Sequence, residues 1–506
     1  MVQRAVNGRA LSSTAVGTGG EKANMEPGGE HARRKATTNL LLLGCLYSFE
    51  LCAFLLLLIL YRLASKPTWL LFFSSLSGVL MVGAVMGLVG SAAIIVHRCY
   101  REWDTKTQNC LLTVVMNIVS VLLLIVVGET TVRLFSVHTP TGVTFGRILL
   151  LPRSWENLAN GLSENLEKSA DKEAHLVYDS QLGWTVGMNR QSENGLYSTS
   201  AEGLRSSRRG ESFAGKPVTC RIALVGDSFT FGDEVAFADS WAYQLEQRLP
   251  SGCQVLNFGV SGYGVDQAYL RYMRDVRTWH PDVVIFGFIS HDLDRAMSVY
   301  GFLLHNTITL LAPKPRFVYD EQGNLFPVNI PVPKLEEILA KKSIRELPFI
   351  TYESAYRETE WDRPSWRYFH ASYLFRLLTS LHPLWERERQ ETSDKNLRSI
   401  NRELFQSFVK TATSDKTIPL IVYLPYGPDF SKTYRPGQVP LGVEILRDAK
   451  LAHTDLTACF STLPHSERFM HALGGGMHYS PKGNAKISEC LYPIVMKHLT
   501  PVHSQR

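Results

Sequence analysis

The chain has 506 residues, which is more than one ordinary domain needs and leaves room for a membrane part beside a globular part. Its formal net charge of +6 and its pI near 8.8 are only mildly basic. Since no block of Lys and Arg is available to follow a phosphate backbone, the composition argues against a nucleic-acid-binding protein.

The N-terminal quarter of the sequence predicts a tail followed by membrane spans. Residues 1–37 are rich in small and polar residues and lack hydrophobic periodicity, which predicts a disordered cytoplasmic tail. Apolar runs follow at 38–61, 69–96 and 110–128, each close to the ~20 residues that cross a hydrocarbon core. A signal peptide has one short apolar region, so residues 38–130 predict a three-helix transmembrane anchor instead.

Charged residues around these runs predict the orientation of the chain. Basic residues cluster before the first run and between the second and third, namely Arg4, Arg9, Lys22, Arg33, Arg34, Lys35, Arg98, Arg101 and Lys106. The positive-inside rule then predicts a multi-pass inner (plasma) membrane protein with a cytoplasmic N-terminus and an extracytoplasmic or periplasmic C-terminal part. Glu50 lies inside the first run, where either a functional carboxylate or a tolerated interhelical group fits the pattern.

If the residues after 130 lie outside the cytoplasm, their cysteines are in an oxidising compartment, where disulfide bonds persist. Cys220 and Cys253 each stand directly before an apolar run, "RIALVG" and "QVLNFG". If these runs are neighbouring strands ~4.8 Å apart, the two thiols lie within disulfide reach, and we predict this bridge. A Cys459–Cys490 bridge rests on pairing by elimination alone. No Cys or His spacing is typical of zinc, and we expect no metal and no cofactor.

Beyond residue 217 short apolar runs alternate with helical patterns, which predicts an α/β sheet with helices on both faces. The predicted strands are 221–226, 254–259, 281–288 and 418–425, and the predicted helices between them are 240–249 and 266–279. These runs are almost continuously apolar, as parallel strands buried on both faces should be.

We predict two segments in the outer part of the sequence. Residues 131–216 are a linker and lead-in, and residues 217–500 are the main domain with an insertion at about 295–415. Within the insertion we predict a hairpin around residues 322–324 and a helix over 393–412 begun by a Ser or Asp cap.

Ser228 stands just past the carboxyl end of the first predicted strand, in "VGDSFTFG". Ligands of such sheets bind beyond the carboxyl ends of the strands, and free N–H groups at the following turn favour an anion-stabilising site. The pattern fits a nucleophile and equally a helix-capping serine. The spacing differs from the Gly-x-Ser-x-Gly turn of α/β-hydrolases.

Four stretches in order resemble the blocks of the SGNH (GDSL-type) hydrolase family. They are "VGDSFTFG" at 225–232, "NFGVSGYG" at 257–264, "FGFISHD" at 286–292 and "MHYSPKGNAKISE" at 477–489. The upstream stretches "YDSQLGWTVGMN" and "AEGLRSS" look like the lead-in of membrane-anchored bacterial members. The resemblance covers about residues 176–500 and implies a three-layer α/β sandwich with a parallel sheet, preceded here by three transmembrane helices.

The resemblance also implies roles for single residues. Ser228 would attack an ester carbonyl and His478 would take its proton, since serine needs an adjacent base and histidine titrates near neutral pH. The oxyanion hole would consist of the N–H groups of Ser228 and Gly262 and of the family's asparagine. His291 replaces that asparagine here.

The second departure concerns the acid that orients the catalytic histidine. The family carries an Asp three residues before the histidine, and Gly475 stands at that position. Asp455 and Asp292 are other candidates for the orienting acid, although neither has the family's spacing. A backbone carbonyl is the remaining alternative.

Two functions from different classes follow. The first is a membrane-tethered extracytoplasmic ester hydrolase, or an O-acyl(acetyl)transferase, that acts on a cell-envelope glycan or another ester through Ser228 and His478. Its partners would be that substrate, the membrane and, for acetyl transfer, a separate membrane acyltransferase. The alternative is a binding or assembly module in which the chemistry has decayed. Retention of Ser228, His478 and Gly262 favours the enzyme.

Overall fold

The computed structural model describes residues 105–139, 142–170, 174–304, 312–362, 367–381, 387–430, 438–470 and 478–503. The predicted cytoplasmic tail, the first two predicted spans, Glu50 and Gly475 lie outside the described residues. The chain divides into two compact units, Met1–Val126 and Val127–Arg506.

A parallel sheet of five strands forms the centre of the second unit in its described part. Its strands are β1 (Cys220–Val225), β2 (Cys253–Asn257), β3 (Val283–Phe288), β4 (Ile418–Tyr423) and β5 (His453–Asp455). They lie in the order β5-β4-β3-β1-β2 and all neighbours are parallel. The chain runs outward from β1 to β2 and then crosses to β3 on the other side of β1. The switch point, where ligands of such sheets bind, is therefore between β1 and β3.

Seven helices of the described part are needed for the description of the sheet and its site. They are α1 (Ser228–Phe231), α2 (Trp241–Arg248), α3 (Val265–Arg271), α4 (Ser290–Arg295), α5 (Arg387–Ser414), α6 (Leu441–Asp448) and α7 (Pro481–His503).

Alternate residues of the strands divide the core into two layers, because successive strand side chains point to opposite faces. Ala223 and Val225 of β1 belong to a buried cluster with residues of α3, α5 and α6. Ile222 and Leu224 belong to a second buried cluster with residues of α2 and α7. The domain is thus an α/β sandwich of helix, sheet and helix layers, and the predicted fold class with a parallel sheet is confirmed.

Smaller elements surround the sandwich. Antiparallel strands pair as Ser136–Thr139, Gly142–Phe145 and Ile148–Leu150, as Leu176–Asp179 with Gly183–Val186, as Ser198–Thr199 with Arg205–Ser206, and as Arg316–Tyr319 with Leu325–Val328. Further helices are Trp155–Ala170, Gly301–Leu304, Leu335–Leu339, Arg367–His370, Tyr373–Ser380, Thr457–Phe460 and His465–Arg468. Single 3₁₀ turns are Phe237–Asp239, Arg277–Trp279, Ile344–Glu346, Ile350–Tyr352, Glu358–Glu360 and Gly427–Phe430.

The third predicted span falls within the helix Thr105–Phe135. Among the described residues, no helix meets the length and apolarity that a membrane crossing requires. The predicted transmembrane anchor is therefore not shown by the structure.

Several predicted elements differ from the observed ones at their ends. The predicted hairpin around residues 322–324 is present, whereas the predicted helix over 393–412 begins earlier, at Arg387. The predicted helix over 266–279 is an α-helix only to Arg271 and continues as a π turn over Tyr272–Val276. Strand β5 has only three residues and was not among the predicted strands.

Candidate active site

The turn after β1 places Ser228 at the switch point of the sheet. Gly226 has φ +156°, and a Cβ there would lie 2.3 Å from the carbonyl oxygen of Gly287 in β3, so the close approach of the two strands requires glycine. Asp227 caps α1, because its Oδ1 accepts a hydrogen bond of 2.9 Å from the N–H of Phe229. Ser228 is thereby fixed as the first residue of α1, with only 4% of its surface exposed.

His478 reaches the same place from the far end of the chain. Its segment is fixed by Tyr479, whose hydroxyl donates to the carbonyl of Pro425 at 2.6 Å, and by Ser480, whose Oγ accepts from the N–H of Gly483 at the start of α7. These contacts bring Nε2 of His478 to 2.8 Å from Oγ of Ser228.

This pair has the geometry of an activated nucleophile. A serine hydroxyl attacks poorly at its free pKa, and a histidine at hydrogen-bonding distance can take its proton and later return it. The ring of Phe229 packs 4.9 Å from the imidazole, centroid to centroid, and limits the movement of the base.

Gly262 lies on the turn after β2, beside the nucleophile's own loop. Its φ of +81° is the left-handed conformation that favours glycine. The preceding residue ties the two loops together, since Oγ of Ser261 donates to Oδ1 of Asp233 at 2.9 Å. Within the described part of the chain, no hydrogen bond uses the backbone N–H of Ser228 or Gly262. Both N–H groups can therefore serve an oxyanion.

A buried ion network under the site joins three loops. Nη1 of Arg295 lies 2.7 Å from Oδ1 of Asp292, 3.4 Å from Oδ2 of Asp227 and 3.3 Å from the carbonyl oxygen of Tyr263. Burial raises the pKa of Asp292, and the negative charge of Asp227 raises it further. The network fixes the residues that flank Ser228, Gly262 and His291 relative to one another.

His291 follows β3 on α4, at the same edge of the sheet as Ser228. Its Nδ1 lies 3.6 Å from Oδ2 of Asp294, and its side chain is 31% exposed. A carboxylate on this side favours a proton on Nδ1.

Part of the domain is similar to a known family. Residues 224–351, which include Ser228, Gly262 and His291, match the model of the GDSL-like Lipase/Acylhydrolase family. No curated protein sequence matches the chain.

About half of the chain is also similar to solved structures, almost the full length of which is covered. The lipase/acylhydrolase from Enterococcus faecalis is 14% identical, with 55% of this chain and 95% of that chain covered and a TM-score of 0.28. The psychrotrophic esterase EstA from Pseudoalteromonas sp. is 10% identical, with 55% and 98% covered and a TM-score of 0.29. A catalytic mutant of Axe2, an acetylxylan esterase from Geobacillus stearothermophilus, is 12% identical, with 55% and 94% covered and a TM-score of 0.28.

The two aspartates predicted as orienting acids for His478 have other partners. Asp292 accepts from the N–H of Ile289 at 3.0 Å as well as from Arg295, and Asp455 accepts from the N–H of Thr457 at 2.9 Å. Among the described residues, neither carboxylate is the partner of His478.

A carboxylate that the sequence reasoning missed lies beside the base. Oε1 of Glu234 is 3.0 Å from Nδ1 of His478, on the side of the ring opposite to Ser228. Glu234 comes six positions after the nucleophile, in "GDSFTFGDE". The signal available in the sequence is the pair of acids that closes this block, whereas the family's spacing points to position 475.

In the described ranges, no group of three or more His, Cys, Asp or Glu side chains is arranged to hold a metal ion.

The two predicted disulfides, Cys220–Cys253 and Cys459–Cys490, are both present.

Proposed function

We propose that the protein is a membrane-tethered, extracytoplasmic serine ester hydrolase or O-acyl(acetyl)transferase of the GDSL type that acts on a cell-envelope glycan or another ester. The observation that carries the acyl chemistry is the 2.8 Å contact between Oγ of Ser228 and Nε2 of His478, at the switch point of the parallel sheet. The match of residues 224–351 to a lipase and acylhydrolase family supports the same chemistry.

The first half of the reaction acylates Ser228. Oγ attacks the carbonyl carbon of the ester while Nε2 of His478 takes the hydroxyl proton, and the carbonyl oxygen becomes an oxyanion held by the N–H groups of Ser228 and Gly262. When the tetrahedral intermediate collapses, the bond to the leaving alkoxide breaks. The imidazolium of His478 returns its proton to that oxygen, so the alcohol leaves neutral.

The second half decides between hydrolysis and transfer. Water or a sugar hydroxyl attacks the acyl carbon, His478 takes the proton of the attacking oxygen, and Oγ of Ser228 leaves with that proton returned to it. Water gives an acid, and a sugar hydroxyl gives a new ester. Since both acceptors use the same acyl-enzyme, the partition between the products measures access to the site.

The proposed location rests on the sequence and on the disulfides. Three apolar runs precede the domain, and the positive-inside rule predicts that residues after 130 lie outside the cytoplasm. Two disulfides in the outer domain support an oxidising compartment. For acetyl transfer we propose a separate membrane acyltransferase as the source of acyl groups.

The test uses the full chain in detergent, with a chromogenic acetate ester and a serine-reactive phosphonate probe. We expect labelling and turnover by the unsubstituted protein, no labelling of Ser228→Ala, and a loss of at least about a thousandfold in turnover for Ser228→Ala and His478→Ala. Matched controls are Ser399→Ala, at a surface position of α5, and His465→Ala, at an exposed position. Both controls should behave like the unsubstituted protein.

The outcomes separate the alternatives. A folded protein that neither labels nor turns over ester would contradict the enzyme and favour a binding or assembly module. With activity established, a mixture of donor ester and envelope oligosaccharide distinguishes transfer from hydrolysis, because only transfer produces acetylated sugar. Detergent-free extraction of the active protein from cells would contradict membrane tethering.

A further inference from the structure

We propose that Glu234 is the positioning residue for His478, supplying the carboxylate that position 475 lacks. The inference deepens the proposed function and rests on it, because it concerns the base of the same site. The acid then comes from the loop that carries the nucleophile, and the segment that carries the histidine contributes none.

The side chains of Glu234 and His478 are in contact. Oε1 of Glu234 lies 3.0 Å from Nδ1 of His478, with 32% and 22% of the side chains exposed. In the described part of the chain, Nδ1 of His478 and Oε2 of Glu234 are both buried without a hydrogen-bond partner. The two groups therefore lie at ion-pair distance, and each retains hydrogen-bonding capacity that the other can use.

The backbone of Glu234 has an unusual conformation that other residues hold in place. Its φ of +71° is a left-handed conformation that costs a non-glycine residue about 1 kcal/mol or more. The hydroxyl of Tyr197 accepts a hydrogen bond of 2.8 Å from the N–H of Glu234. Arg205, 1% exposed, donates to the carbonyls of Phe231 at 2.9 Å and Val235 at 2.6 Å. The lead-in thus holds this loop in a conformation that the loop would not adopt alone.

The other acids near the base have hydrogen-bond or ion-pair partners of their own. Oδ1 of Asp233 accepts from Ser261, and burial raises the pKa of Asp233, which favours its neutral form. Asp227 accepts from the N–H of Phe229 and lies 3.4 Å from Arg295. Of the three carboxylates on this loop, Glu234 is the one at contact distance from Nδ1.

The carboxylate of Glu234 beside Nδ1 prepares His478 to act as a base. A carboxylate at Nδ1 holds the ring proton there, so that Nε2 presents its lone pair to the hydroxyl of Ser228. It also stabilises the imidazolium that forms when His478 takes the proton of Ser228. Glu234 acts through His478 and does not touch the reacting atoms.

The test measures the histidine directly and the reaction separately, on the full chain in detergent. The first readout is the rate at which diethyl pyrocarbonate modifies the peptide that contains His478 at pH 7, followed by mass spectrometry. This reagent modifies an accessible imidazole nitrogen, so the rate reports how firmly the ring is held. The second readout is kcat and KM for the acetate ester. The variants are Glu234→Gln, Glu234→Asp and Asp233→Asn, with Glu489→Gln, an exposed residue of α7, as the matched control.

For Glu234→Gln we expect faster modification of His478, since the ring loses the carboxylate that holds it. We expect kcat to fall by about a hundredfold or more with little change in KM. Glu234→Asp should restore part of kcat, and Glu489→Gln should change neither readout.

Two results would overturn the proposal. One is an unchanged modification rate and kcat in Glu234→Gln, which would assign the orientation of His478 to another group. The other is a change found in Asp233→Asn and absent from Glu234→Gln. A changed modification rate in a protein without esterase activity would reject the proposed function and leave the contact between Glu234 and His478 standing.

Discussion

His291 changes what its position offers to an oxyanion. An asparagine amide always presents two N–H donors, whereas a neutral imidazole has one, and its location depends on the tautomer. The carboxylate of Asp294 lies 3.6 Å from Nδ1. A proton held on that nitrogen would leave Nε2 as an acceptor, so under the proposed function this position would be a weaker oxyanion donor than an amide.

We expect His291→Asn to raise kcat for the acetate ester severalfold, because an amide N–H is available whatever the protonation of its surroundings. His291→Ala should not exceed the unsubstituted protein. Removal of a working oxyanion donor costs about a hundredfold or more, so a loss of that size in His291→Ala would show that the imidazole already donates. Steady-state kinetics measure both, with the exposed His280→Asn as the control. A lower kcat in His291→Asn would contradict the expectation.

Single residues differ in how far the sequence could reveal them. Ser228 and His478 were predictable because each stands in a block of several residues that resembles a known family. Glu234 was not, because its role depends on a left-handed backbone and on Tyr197 and Arg205, which local patterns do not connect to it. Tertiary contacts of this kind leave no periodic signal.

At the scale of elements, the short turn Gly427–Phe430 after β4 carries a buried acid. Oδ2 of Asp429 accepts from the hydroxyl of Tyr423 at 2.8 Å and from the N–H of Tyr426 at 3.0 Å. The same hydroxyl lies 3.1 Å from Oγ of Ser290, the first residue of α4. The turn is thus linked to the helix that carries His291.

This acid makes the stability of the domain depend on pH. Burial raises the pKa of Asp429 to about 6, against the opposing hydrogen bonds from Tyr426 and Tyr423. Because the folded pKa lies above the unfolded value of 3.8, the group favours folding at low pH, and this contribution is lost as the pH rises from about 4 to about 6. Asp429→Asn should therefore gain of order 2 kcal/mol over the unsubstituted protein at pH 7 and nothing at pH 4.

Thermal unfolding between pH 4 and pH 8 checks this expectation. The difference in Tm between Asp429→Asn and the unsubstituted protein should widen as the pH rises and level off above about pH 6. Asp448→Asn, at a position whose side chain is 74% exposed, is the control. A difference that does not vary with pH would mean that the aspartate is ionised throughout.

Elements of the central sheet could be predicted, and the surrounding ones could not. The first four strands are buried on both faces, so their sequences are almost continuously apolar. Strand β5 has three residues at the edge of the sheet, which is too short for a pattern. The paired strands of the lead-in, Ser198–Thr199 and Arg205–Ser206, are buried, yet their residues are polar, and contacts with the sandwich hold them there.

At the scale of the molecule, one disulfide lies at the end of the sheet opposite to the site, and the other lies next to the helix that follows His478. Cys220 and Cys253 pair in register at the amino ends of β1 and β2, whereas Ser228 follows the carboxyl end of β1. The bridge Cys459–Cys490 joins the helix Thr457–Phe460 to α7, the helix that follows His478. The first bridge therefore secures the sheet at the edge away from the chemistry.

We expect the double variant Cys220→Ser/Cys253→Ser to lose about 4 kcal/mol of stability, as expected for a bridge between residues 33 positions apart. Its kcat at 25 °C should stay within twofold of the unsubstituted protein. Denaturant unfolding and ester turnover measure the two effects, and Cys459→Ser/Cys490→Ser is the comparison. A large loss of kcat in a folded Cys220→Ser/Cys253→Ser variant would contradict the separation of this bridge from the site.

The order of the site residues along the chain has a consequence for biosynthesis. Ser228 and Glu234 emerge from the ribosome together on one loop, whereas His478 is encoded 250 residues after the serine. Under the proposed function, a nascent chain that has reached residue 470 would carry the nucleophile and the acid and would still lack the base. Ester cleavage would then begin only after His478 has been added and the last helix has formed.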